Sequence, residues 1–289
     1  SCAGKLTKAK NIASPAGLKA KIIRTSNFKL QSFYRISKKG APLTVYIEGD
    51  GLAWLTRTQP SDNPTPRNPL ALRLAAIDGG ENVMYLARPC QYVDLNTERL
   101  CSIAYWTHKR FAKEIIISID EAINIVASKS KSKNINLVGY SGGGAVVAMV
   151  AAKRKDISSI RTVAGYMDHV ALNRDAKVSQ LIGSLDPIKA APRLKKIPQL
   201  HYGGRNDKRV PSWVLMNFRK AVGSRKCITL RKVDATHEKA QTDEEADLRW
   251  EKDRRKAEIL SKANAFQRSV QEVDNIYKSL VKAYSLVGI

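Results

Sequence analysis

Residues 134–152 read NINLVGYSGGGAVVAMVAA. The first five have the short apolar character of a buried strand, Gly139-Tyr140-Ser141-Gly142-Gly143 breaks it, and small and apolar residues then run on to Ala152 as a buried helix would. A strand that turns through Gly-x-Ser-x-Gly straight into a helix is the pattern of a nucleophile elbow. There the serine is pushed out of line at the tip of the turn, and the glycines remove Cβ atoms that would strike neighbouring backbone. The context, more than the five residues alone, marks Ser141 as an exposed nucleophile with a helix amino terminus behind it.

Outward from this stretch, strand and helix patterns alternate. Residues 21–25 and 29–36 predict a first strand pair, and 43–48 (LTVYIE) a buried strand that stops at Gly49-Asp50-Gly51. A polar loop with three prolines follows, and Pro69 opens a helix through Leu70, Leu72, Leu74 and Ala75. Further strands are expected at 82–87, 159–164, 199–203 and 227–233, and a helix over 110–127 carries Ile115, Ile116, Ile119, Ile123 and Val126 at helical spacing. The alternation predicts an α/β fold, a mainly parallel sheet flanked by helices. Its domain is expected over 20–240, with 167–196 as a candidate cap over the strand ends and 1–19 as a flexible basic tether. Residues 241–289 read as a helical extension whose seam, Ile259, Phe266, Val273, Leu280 and Val287, repeats every seven residues. That seam fits either packing on the chain's own domain or docking on a protein partner.

At 289 residues the chain can bury a core of its own, and no apolar run approaches the ~20 residues of a membrane-spanning helix. The net charge of +24 is unevenly placed: from residue 238 onward there are ten bases and ten acids, so the excess lies earlier, and no acid precedes Glu48. Nucleic acid is argued against by the lack of zinc-finger spacing, aromatic RNA-binding boxes and a helix-turn-helix. An anionic membrane surface or acidic partner accounts for the charge equally well. Ser1-Cys2-Ala3-Gly4 places a small residue before a cysteine, as at a bacterial lipoprotein cleavage point, so Cys2 is the expected lipidation site. The missing initiator Met agrees with a removed leader.

A serine hydroxyl needs a base to take its proton and a carboxylate to orient that base. With an elbow of this kind the acid and then the histidine follow in the chain, on loops after later strands. Asp207, in GRNDKRVP, and His237, in DATH, occupy those positions; His201 lies within a strand, His108 in a loop, and His169 in the cap, from which it could touch a substrate. The oxyanion needs two backbone donors. Gly142 supplies one, and Asp50 or Gly51 the other, with Arg88 or Arg67 expected to neutralise Asp50. Cys90 and Cys101 stand 11 residues apart across a loop, compatible with a disulfide in an oxidising compartment or with two reduced thiols. Neither cysteine nor histidine spacing fits a metal site, and no cofactor is expected.

Together YIEGDGLAW, PSDNPTPRNPLALRLA, YLARPCQY, YWTHKRF, LVGYSGGGAVVA and RTVAGYMDH, with the Asp207 and His237 loops, make residues 20–240 resemble an α/β-hydrolase, and in particular a proteobacterial, lipoprotein-like branch of that family. The resemblance implies a Ser141, Asp207, His237 triad and a Cys90 to Cys101 loop close to the site. The first expectation is therefore a serine hydrolase acting on an ester or thioester, small or lipid, and with Cys2 as a lipidation site its expected place is the bacterial envelope, at the periplasmic face of the outer membrane. The chain departs from the branch after His237, where Glu238-Lys239-Ala240 opens a long charged helix in place of a Gly-Trp-like turn. That tail, with the basic charge, leaves a second expectation open: a structural lipoprotein subunit of an envelope-spanning assembly such as a secretion machine, on a hydrolase fold.

Overall fold

A computed structural model describes residues 2–223 and 226–237. The expected extension over 241–289, with its heptad seam, lies outside them. In chain order the elements are α1 (Cys2–Ala13), β1 (Lys19–Arg24), β2 (Lys29–Ile36), β3 (Leu43–Ile47), α2 (Leu70–Ile77), β4 (Asn82–Leu86), α3 (Lys113–Ser130), β5 (Ile135–Tyr140) and α4 (Gly142–Ala151). There follow β6 (Ile157–Val163), α5 (His169–Asp175), α6 (Pro187–Ala190), β7 (Gln199–Gly204), α7 (Trp213–Val222) and β8 (Ile228–Val233).

All eight strands join one sheet in the order β1-β2-β4-β3-β5-β6-β7-β8. β1 with β2 and β2 with β4 are antiparallel; every other neighbouring pair is parallel. Parallel neighbours need crossover connections, and these put helices on both faces, so the central strands β3, β4, β5 and β6 are largely buried. Because side chains alternate across a strand, Val45, Ile47, Met84 and Leu86 pack with α3 and α4, while Tyr46, Val83 and Tyr85 pack with α1 and α2. Every residue of α4 is buried. A helix wrapped by protein on all sides has no polar stripe to show, which explains its Gly, Ala and Val composition.

The amino-terminal segment differs from the expected tether. It forms α1, whose Ala9 and Ala13 are fully buried with Leu18 in the core over α2. Lys5 Nζ also donates to the Thr65 carbonyl at 2.9 Å. Small side chains let the helix lie close, and alanine among lysines does not read as an apolar stripe. The 167–196 segment contains α5, α6 and a 3-10 turn at Ala191–Leu194. It is tied to the loop before α3: Phe111 N–H donates to Ser184 Oγ at 3.0 Å and Leu185 N–H to the Phe111 carbonyl at 2.9 Å. No described helix is long and apolar enough to cross a membrane.

Candidate active site

β5 ends on Tyr140, and Ser141 turns the chain into α4 with φ 50° and ψ −119°. That region is costly for a residue with a Cβ, by about 1–3 kcal/mol, and persists where the surroundings over-determine it. Here they do. A Cβ on Gly139 would stand 2.4 Å from the Gly143 carbonyl oxygen, so the turn closes only with glycine there. The Ser141 N–H donates to the Val163 carbonyl at 2.9 Å, and the Ser141 carbonyl accepts from Gly144 and Tyr166 at 3.0 Å each. The strained residue is thus held by β6 and the loop after it.

Two later loops bring the other candidates to this turn. Asp207 follows β7 and His237 follows β8, and the loops are joined by Asn206 N–H donating to the Ala235 carbonyl at 3.3 Å. Asp207 Oδ1 accepts from the Arg209 and Val210 amides at 2.9 and 2.8 Å, which aims Oδ2 at His237 Nδ1, 2.8 Å away. With Nδ1 carrying the proton toward the carboxylate, Nε2 faces Ser141 Oγ at 3.3 Å as an acceptor. The imidazole lies almost flat on the Tyr140 ring, centroids 5.9 Å apart. Both Asp207 and His237 are buried and Ser141 is partly open, so a substrate can reach the hydroxyl while water is kept from the hydrogen-bonded pair behind it.

Beside Ser141, the amides of Gly142, at the start of α4, and of Asp50 and Gly51, after β3, have no acceptor among the described residues. The Gly49 N–H is not free, since Glu48 Oε1 accepts it at 3.0 Å. Gly51 has φ +66°, and a Cβ on it would come within 2.1 Å of the Pro64 carbonyl. The Asp50 carboxylate is held at both oxygens: Oδ1 accepts from Arg88 Nη1 at 3.1 Å and Oδ2 from Arg110 Nη1 at 2.8 Å. Burial raises the Asp50 carboxyl, but the Arg110 and Arg88 charges together hold it below its ordinary value. Of the two arginines expected to neutralise Asp50, Arg88 is in place and Arg67 is exposed with no contact to Asp50. Arg110 was not foreseen. No local pattern links residues 60 apart; only the closed fold does.

Cys90 and Cys101 are joined, Cα atoms 5.5 Å apart, and Cys227 is a free thiol. His201 packs between Thr162 and Gln199, at 2.8 and 3.2 Å. His169 does not face a substrate: it is buried, stacked on Phe111, and bonded through Nε2 to the Leu185 carbonyl at 2.9 Å. Among the described residues no group of three or more metal-ligating side chains comes together.

No protein-family model matches the chain. No curated protein matches it either. Solved structures do. A cold-adapted esterase from an Arctic intertidal metagenomic library is 14% identical, with 75% of this chain and 84% of that one aligned at a TM-score of 0.55. An esterase of Pyrococcus furiosus is 15% identical over 78% and 86%, TM-score 0.54. A protein of Agrobacterium tumefaciens assigned to the α/β hydrolases is 16% identical over 75% and 86%, TM-score 0.51. The chain has the α/β-hydrolase fold. In an α/β-hydrolase fold the strand-to-helix turn at Ser141 and the loops after β3, β7 and β8 all open at the carboxyl ends of the strands, where open α/β sheets hold their sites.

Proposed function

We propose that this protein is a serine hydrolase that cleaves a carboxylic ester or thioester. The observation that carries the reading is the line of contacts from Ser141 Oγ to His237 Nε2 and from His237 Nδ1 to Asp207, built on a strained elbow. In the first half-reaction His237 takes the hydroxyl proton as Oγ bonds to the carbonyl carbon, and the oxyanion meets the Gly142 amide and that of Asp50 or Gly51. Collapse breaks the ester bond, and the proton on His237 goes to the departing alcohol or thiol. Water, deprotonated by the same imidazole, then frees the acid and restores Ser141. Two proteins with this fold are described as esterases, which supports the reading. Exposed Trp54, Leu55, Leu100, Ile103, Ile182 and Leu185 lie in the loops after β3, β4 and β6, an apolar setting suited to the hydrocarbon part of a small or lipid ester.

The protein's place is proposed as the periplasmic face of a bacterial outer membrane, held by a lipid on Cys2. The Ser-Cys-Ala sequence, the basic first 47 residues and a disulfide, which persists in oxidising compartments, support that reading.

The test of the activity is a fluorophosphonate probe with p-nitrophenyl esters as substrates. Wild type is expected to label and turn over, and Ser141→Ala to lose both, since the three residues act as a unit. Equal labelling of the two proteins sinks the reading.

A further inference from the structure

Asp50 presents a difficulty for any reaction that builds negative charge beside Ser141. Its carboxylate lies against Gly142: a Cβ there would be 2.1 Å from Oδ1 and 2.9 Å from Oδ2. An ionised carboxylate touching the residue that supplies an oxyanion amide opposes the charge that develops in the transition state, the more so in a site shielded from water. Yet Asp50 does not stand alone. Arg88 reaches Oδ1 from the end of β4, and Arg110 reaches Oδ2 from the loop before α3. Arg88 also donates to the Arg110 carbonyl and lies over the Phe111 ring, while Arg110 Nε donates to the Thr107 carbonyl at 2.7 Å. All three side chains are largely buried, so their charges are poorly screened.

We propose that Arg88, Asp50 and Arg110 form a fixed cluster of net charge +1 that turns the field at the oxyanion pocket from opposing to favouring the reaction, while pinning the Asp50 amide in place. This inference rests on the hydrolase reading. The carboxylate is the fork that joins two arginines from separate segments, and clamping it at both oxygens leaves its main chain little freedom. The second arginine changes the sign: with one, the cluster is neutral; with two, it is positive. Neither arginine touches the reacting atoms, so both are positioning residues.

The experiment uses p-nitrophenyl acetate, an uncharged ester, so that altered charge acts on the transition state and not on substrate binding. Arg110→Gln is expected to lower kcat about 10- to 100-fold with little change in KM, below or at the lower edge of the ~10²–10³ cost of losing an oxyanion donor. Arg110→Lys, which keeps the charge, recovers most of that loss. Asp50→Asn combined with Arg110→Gln, which again leaves net +1, recovers turnover above that of Arg110→Gln alone. Thermal melts of every variant separate folding from rate. If Arg110→Lys falls as far as Arg110→Gln, or the double variant falls to the product of the two single losses, the field is not what the arginines supply and the inference is overturned. If wild-type turnover survives Ser141→Ala, the hydrolase reading falls and takes the inference with it; loss of turnover there with no charge order among the variants overturns the inference alone.

Discussion

Glu48 closes β3 with a buried carboxyl whose Oε2 has no hydrogen-bond partner among the described residues. Burial pushes it up to about 7, against the pull of the Gly49 amide, the first-turn amides of α2 at Ala71 and Leu72, and the Tyr85 hydroxyl. A carboxyl raised in the folded state supports folding while it stays protonated. That support is whole below about pH 4.3, the unfolded value, and is lost as pH rises to about 7. His201 acts in the opposite sense, because burial lowers it to about 3: its neutral form is retained in the fold, so stability is lost as pH falls from about 6.5 toward 3. Between about pH 4.5 and 6.5 the two slopes oppose each other and partly cancel. Glu48→Gln removes one of them. Its unfolding free energy, relative to wild type, should therefore rise by about 2–3 kcal/mol between pH 4 and pH 8, read from urea titrations across that range. Parallel profiles for the two proteins would show that Glu48 does not titrate in this window.

The elements around the site differ in how openly the sequence announces them, and α1 is the clearest case. Its burial rests on Ala9 and Ala13, one turn apart, with lysines between and around them, so nothing in the pattern separates a docked helix from a solvated one. Ala9→Asp should destabilise the fold by about 2–4 kcal/mol, since a carboxylate there is buried without a partner. Lys8→Asp, on the exposed side, should stay within about 0.5 kcal/mol. Chemical denaturation distinguishes the docked helix from a free tether, for which the two changes would cost alike. β3, β5 and the elbow were legible because strands buried on both faces are short apolar runs that stop at glycine, and Asp207 and His237 because chain order after an elbow restricts the choice. Arg110 was not, because its pairing with Asp50 spans α2, β4 and the long loops on either side of them. Nor was α7, which follows an irregular stretch and places Val214, Leu215, Phe218 and Val222 in the core through tertiary packing.

Part of the charge excess lies on the surface at the amino-terminal end of the described residues. Lys8, Lys10, Lys19, Lys21 and Arg24, on α1 and β1, are all exposed; α1 and β1 carry no acid of their own, and although Asp94 and Glu98 line the surface beside Lys10 and Lys21, the bases outnumber them beside the proposed lipid site at Cys2. Because α1 is packed on the domain and begins at Cys2, a lipid there would hold the body of the protein within about a helix length of the bilayer, and the basic end would be the part nearest the headgroups. Each Lys or Arg near an anionic leaflet contributes about 1 kcal/mol, an effect that fades within the ~10 Å Debye length at 0.1 M salt. Even without the lipid, then, the protein should sediment with vesicles containing a third phosphatidylglycerol at 50 mM salt and be released by 500 mM. Charge reversal at Lys8, Lys10 and Lys21 together should weaken that binding by at least tenfold, whereas the same change at Lys153 and Lys155, beyond α4, should leave it nearly intact. Equal binding to uncharged phosphatidylcholine vesicles, or equal loss from both sets of reversals, would mean that the charge is dispersed over the surface and does not orient the protein at a membrane.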